Sequence, residues 1–160
     1  MHYILRDMLM IVQREKNMLP ALELALEAFK KGEVPVGCVI YNREGQIIGR
    51  GKNRREETGD ATAHAEIEAI REACSRTGDW RLEGCSIYVT LEPCPMCTGA
   101  IINARIPTVV YGARDAVTGS CGSVIDLFCE RYGHSPAVFP GVLETESSDL
   151  MKNFFKNKRT

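Results

Sequence analysis

Two short stretches of this chain carry residue types that bind metals and move protons: His64-Ala65-Glu66 and Pro93-Cys94-Pro95-Met96-Cys97. Each stands where a loop or strand gives way to a helical pattern, and Pro95 occupies a position that helix starts favour. Cys94 and Cys97 are three residues apart, so they share one face of a first helical turn. Two thiolates there can grip one tetrahedral ion. The free N–H groups and the dipole of a helix start favour negative sulfur. His64 offers a third, neutral ligand. A site with three protein ligands keeps its fourth position open, which is the pattern of catalytic zinc; structural zinc is closed by four. An open zinc site lowers the pKa of bound water toward neutrality and supplies hydroxide. A nearby carboxylate can take the water proton and hand it to a substrate. Glu66, two residues from a ligand, is placed for that role. Glu68 is expected on another face of the helix, exposed or in a salt bridge.

A C-x-x-C pair by itself has other readings, as a redox pair or as half of a structural zinc site. A redox pair has no need of the His-x-Glu element. A structural site needs a fourth ligand. His2 and His134 lack ligand spacing, which leaves Cys85 and Cys121 as the remaining candidates. Two motif halves in matching contexts are far more specific than either alone.

The elements that must position these groups follow from periodicity. Residues 18–31 read as a helix with Leu19, Leu22, Leu24, Ala25 and Ala28 on its apolar side and Pro20 in its first turn. Residues 35–41 and 46–49, separated by Asn42-Arg43-Glu44-Gly45, read as a β-hairpin. Helices are expected over 65–75, 95–105, 123–132 and 147–156, and strands over 86–91, 107–111 and 137–139. This order predicts an α/β fold, a three-layer α-β-α sandwich around a central mixed five-stranded sheet.

The 160 residues fit one domain, with 44% hydrophobic and 26% charged residues, ordinary for a folded protein. Residues 1–17 read as an N-terminal extension, helical and packed on the domain or frayed, and 18–160 as a single domain. Arg6 and Asp7 interrupt the apolar start, so it does not read as a secretory signal. No membrane span is expected, and the cytoplasm is the expected compartment. Seven cysteines, an odd number, argue against a disulfide framework.

The net charge of −1 gives no general pull on nucleic acid, so any such contact needs a local basic patch. Lys152, Lys156, Lys158 and Arg159 form one at the C-terminal end, where cations also suit a helix C-terminus. Lys52, Arg54 and Arg55 form a second.

At the metal motif the sequence resembles the cytidine/deoxycytidylate deaminase superfamily, whose signature is H-x-E…P-C-x-x-C. Further segments are similar to the bacterial tRNA-specific adenosine deaminases: residues 33–37 (EVPVG), Asn53-Arg54, 62–66 (TAHAE), 80–85 (WRLEGC), 88–94 (YVTLEPC) and 110–115 (VYGARD). The resemblance runs from about Met18 to Lys158. It implies a cytidine deaminase-like fold, a homodimer, and one Zn2+ per subunit on His64, Cys94 and Cys97. It implies Glu66 as proton shuttle in the hydrolytic conversion of adenosine to inosine at the wobble position of tRNA. Asn53, Pro35, Val36, Ala65, Leu91 and Asp115 are the implied substrate-binding residues. The anticodon stem-loop is the implied partner, with Arg54, Lys152, Lys156, Lys158 and Arg159 as candidate phosphate contacts. Cys38 and Cys121 stand where the family more usually has small residues such as alanine. The metal motif does not separate this activity from deamination of cytosine, guanine or a free nucleotide, and a zinc-stabilised RNA-binding module is a further alternative.

Overall fold

The computed structural model describes residues 1–158. Along the chain run helix α1 (His2–Lys30), strands β1 (Gly37–Tyr41) and β2 (Ile47–Lys52), a short α2 (Arg55–Thr58), α3 (Ala65–Thr77), β3 (Ser86–Leu91), α4 (Pro95–Asn103), β4 (Thr108–Ala113), β5 (Ala137–Phe139) and α5 (Glu144–Lys158). The strands form one sheet in the order β2-β1-β3-β4-β5. β1 runs antiparallel to β2 and β3, and β3, β4 and β5 are mutually parallel. This is the expected α/β sandwich with a mixed five-stranded sheet.

Side-chain alternation on β1, every residue of which is buried, splits the core in two. Cys38 and Ile40 pack with Ile87, Val89, Val109 and Tyr111 against α3 and α4. Val39 and Tyr41 pack with Tyr88 and Val110 against Met18, Ala21 and Leu22 of α1, and Leu150 of α5 joins that side. Close approach is made possible by glycine. A Cβ at Gly51 would lie 1.9 Å from the Ala65 carbonyl oxygen, so β2 and the start of α3 touch backbone to backbone.

Three stretches differ from the expectation. The first helix does not begin near Met18 but runs unbroken from His2, so Pro20 lies inside it and not in its first turn. Pro20 has no N–H for the helical ladder, yet the helix is anchored around it. The Tyr41 hydroxyl donates to the Asn17 carbonyl (3.0 Å), the Asn17 amide donates to the Tyr88 hydroxyl (3.2 Å), and Arg14 stacks on Phe139. Residues 3–12 are helical and exposed, neither frayed nor packed on the domain. The helix expected over 123–132 is absent, replaced by a single 3-10 turn at Leu127–Cys129. Its N–H groups are drawn elsewhere: Ser123 donates to Glu92 and Phe128 to Asp126, while Val124 and Ile125 donate to the Gly119 carbonyl and Leu127 to that of Ser120. Gly122 at φ 126° turns the chain further away from helix. Among the described residues no helix is long and apolar enough to cross a membrane.

Candidate active site

Two helix starts converge at one end of the sheet. His64 is the N-cap of α3 and Cys94 the N-cap of α4; both are extended, with φ/ψ of −84°/152° and −75°/174°. Such a residue ends a loop while its side chain stands beside the free N–H groups of the first turn. Pro95 sets the first helical position of α4, and Cys97 follows one turn in, fully buried.

His64 Nδ1 lies 3.7 Å from Cys94 Sγ and 3.6 Å from Cys97 Sγ. Zn–S of about 2.3 Å and Zn–N of about 2.0–2.1 Å at a tetrahedral angle require an N···S separation of about 3.6 Å. The three donors are therefore spaced for one zinc ion. Among the described residues they form the only His/Cys/Asp/Glu cluster of three or more, so no fourth side chain closes the site. Cys121 faces Thr98 Oγ1 at 3.6 Å, and Cys85 lies before β3, at the strand end opposite Leu91.

The three donors act strongly on one another. The Cys94 thiol is pulled down to about 4, chiefly by the Cys97 side chain, with the His64 ring and the Cys97 backbone adding to the effect. Cys97, as the donor, is pushed up in turn by Cys94 and by burial. Glu66, only 4% exposed, is pushed up to about 7, chiefly because burial disfavours its charge. It has about equal tendency to hold and to release a proton near neutrality. Glu68 is on a different face, as expected, where it pairs with Arg54 (3.4 Å) and Arg71 (4.0 Å).

The cluster opens into a cleft of about 940 Å³. Of the residues expected around the substrate, Val36, Asn53, Ala65, Leu91 and Asp115 line it. Pro35 is buried but does not, because alternate residues of an extended segment face opposite ways and Val34 and Val36 take the cleft side. Asp115 uses its carboxylate on its own loop, accepting from the N–H groups of Val117 and Thr118 and from the Thr118 hydroxyl.

The two basic groups separate sharply. Lys152 and Lys156 line the cleft, whereas Lys158 lies 4.7 Å over the Phe154 ring and does not. Arg159 lies outside the described residues. In the other group Arg54 is held by Glu57 and Glu68, and Lys52 by Glu27 at 2.6 Å, while Arg55 lines the cleft. Arg114, which stands in the 110–115 segment but carries no role in the sequence reading, lines it too. The adjacent phenylalanines also part: Phe154 is buried against Phe29, but Phe155 is 45% exposed on the cleft wall. Ser148, Met151, Lys152, Phe155 and Lys156 recur at helical spacing and so share one face of α5.

Comparison with known proteins agrees with this geometry. A model of the cytidine and deoxycytidylate deaminase zinc-binding region matches residues 11–113. The tRNA-specific adenosine deaminase of Bacillus subtilis is 45% identical over 150 residues, covering 93% of this chain and 92% of that protein. A Deinococcus radiodurans protein named tRNA(Ile)-lysidine synthase is 46% identical over 139 residues; those cover 87% of this chain, which spans only 24% of the relative's length. Among solved structures, one from biochemical and structural studies of A-to-I editing by tRNA:A34 deaminases at the wobble position of transfer RNA is similar at a TM-score of 0.79. It is 44% identical, and the match covers 81% of this chain and 94% of that one. This chain belongs to the zinc-binding cytidine and deoxycytidylate deaminase family.

Proposed function

We propose that this protein hydrolyses adenosine to inosine at the wobble position of tRNA, releasing ammonia. The observation that carries the reading is an open three-donor cluster with a buried carboxylate beside it, at the base of a cleft rimmed by Arg55, Arg114, Lys152 and Lys156. The names of the relatives over nearly the full chain support tRNA and adenosine as substrate.

One zinc ion held by His64, Cys94 and Cys97 supplies Lewis acidity, bringing the ionisation of a coordinated water toward neutral pH. Glu66 is placed to take a proton from the attacking water and pass it to adenine N1, which makes C6 electrophilic. The water oxygen bonds to C6, and Glu66 moves the proton left on that oxygen to the amine, so the C6–N bond breaks and ammonia leaves as the C6 carbonyl forms. Its burial keeps water from competing for those protons. A wobble base in an anticodon loop is reachable at small unstacking cost, unlike a base in a duplex. Val36, Asn53, Ala65 and Leu91 bound the base, with Asn53 orienting it. Residues 18–160 make up the deaminase domain, and a homodimer with one zinc per subunit in the cytoplasm completes the reading.

The test is ammonia release from an anticodon stem-loop with adenosine at the first anticodon position, run beside free adenosine, guanine and cytidine. Turnover on the stem-loop and little on the others is expected. Preference for a free base or nucleoside would reject the tRNA assignment and leave a small-substrate deaminase.

A further inference from the structure

Glu33 sits in the loop after α1 and is only 2% exposed. Among the described residues no cation pairs with it, an expensive way to place a carboxylate in a protein interior. Its two contacts are specific. Oε1 accepts the Glu57 backbone N–H at 2.8 Å, and Oε2 accepts the Asn53 side-chain amide at 3.3 Å. Asn53 is itself 5% exposed, lines the cleft, and has its backbone N–H fixed to the Val36 carbonyl at 3.1 Å.

An asparagine amide has a donor end and an acceptor end, and only its surroundings decide which way it faces. Both oxygens of the Glu33 carboxyl accept here, one from the Glu57 N–H and one from the Asn53 amide. Glu33 therefore forces Nδ2 toward itself. Oδ1 has no protein partner among the described residues and is left for a ligand.

We propose that Glu33 is a positioning residue for the reaction: it locks the Asn53 amide in one orientation, so that substrate meets a fixed acceptor. The proposal rests on the reading of Asn53 as a substrate contact. Glu33→Gln makes the sharpest probe because it is nearly isosteric. Its Oε1 still accepts the Glu57 N–H, so its Nε2 faces Asn53 and favours the opposite amide orientation. Glu33→Ala removes both contacts and leaves Asn53 free to turn.

The experiment measures kcat and KM on the stem-loop for Glu33→Gln, Glu33→Ala, Asn53→Ala and Glu33→Gln/Asn53→Ala, with zinc content and unfolding midpoint for each. Glu33→Gln is expected to lower kcat/KM about tenfold, the size of one well-placed hydrogen bond, with zinc retained. That loss should vanish in the Asn53→Ala background. Glu33→Ala should be the less stable variant but no worse in kcat/KM than Glu33→Gln. If losses in kcat/KM instead follow the unfolding midpoints, or persist in full without Asn53, Glu33 is merely structural and the proposal is overturned. If Asn53→Ala is as active as wild type, the reading of Asn53 fails and this proposal with it. If wild type deaminates only a free base or nucleoside, the tRNA reading fails, and the same four variants on that substrate decide the role of Glu33.

Discussion

The metal side of the cleft is set by backbone. His64 and Cys94 are each the last extended residue before a helix, and α3 is pinned to the sheet through the contact of Gly51 with Ala65. Glu66 and Cys97 follow within the first turns and are buried. The opposite side is made of side chains on the outer face of α5, with the 113–118 loop beside them. Lys152, Lys156 and Phe155 reach the cleft from the less buried face of α5, whose other side packs on the core through Leu150 and Phe154. Chemistry that tolerates little displacement sits on the first wall, because a helix start fixes its residues through main-chain bonds. Under the proposed function, contacts to a large polyanion fall on the second, where flexible cations are sufficient.

If this contrast is right, damage to the first wall should be near total and damage to the second graded. Glu66→Ala should lower kcat by about a thousandfold or more, near the upper range for a proton-transfer group, with zinc content unchanged by elemental analysis. Wild-type rates in that variant would remove Glu66 from the chemistry. Chelation comes next. Turnover should disappear while far-UV circular dichroism stays native, and return on adding zinc. Loss of fold on chelation would mean that the metal is structural and the first wall is not self-supporting.

A smaller effect is expected from Gly51→Ala. The new methyl would meet the Ala65 carbonyl, so β2 and α3 must separate. Overpacking of this kind costs about 1–3 kcal/mol, measurable as a lower urea midpoint. Because Ala65 lies between His64 and Glu66, kcat should fall as well, and an undiminished kcat would show that the sheet does not set the first wall. On the second wall, Lys152→Gln/Lys156→Gln should leave kcat near wild type and weaken stem-loop binding. The slope of log affinity against log salt should shallow by about 1.4, at about 0.7 per phosphate contact on a single strand. Lys52→Gln, already paired with Glu27, should change that slope least of all. An equal effect from Lys52 would contradict the division between the two basic groups.

Much of the first wall is legible in the sequence, because its information is local. The i, i+3 cysteines, the proline after Cys94 and the His-x-Glu spacing fix donor types and helix-start geometry within a few residues. Strand β3 appears where alternation and β-branched residues place it. Three-dimensional packing alone decided the rest. Residues 123–132 have a helical pattern, but Glu92, about thirty residues away, holds the Cys121 and Ser123 N–H groups, and Val124, Ile125 and Leu127 donate back to the Gly119 and Ser120 carbonyls. The start of α1 is helical with its apolar residues exposed, so no core contact marks it. Arg54 and Arg55 are neighbours of like charge, yet only folding puts Arg54 between Glu57 and Glu68 and leaves Arg55 on the cleft. Glu33 and Asn53 are twenty residues apart and carry no shared motif; their pairing exists because β2 brings Asn53 back to the end of α1. The sequence by itself determined the candidate metal donors and the carboxylate beside them, since those follow from residue type and short-range spacing. Tertiary structure decided which charges are free, which phenylalanine is core and how the substrate-facing amide is held, since each depends on partners the chain meets only after long-range closure.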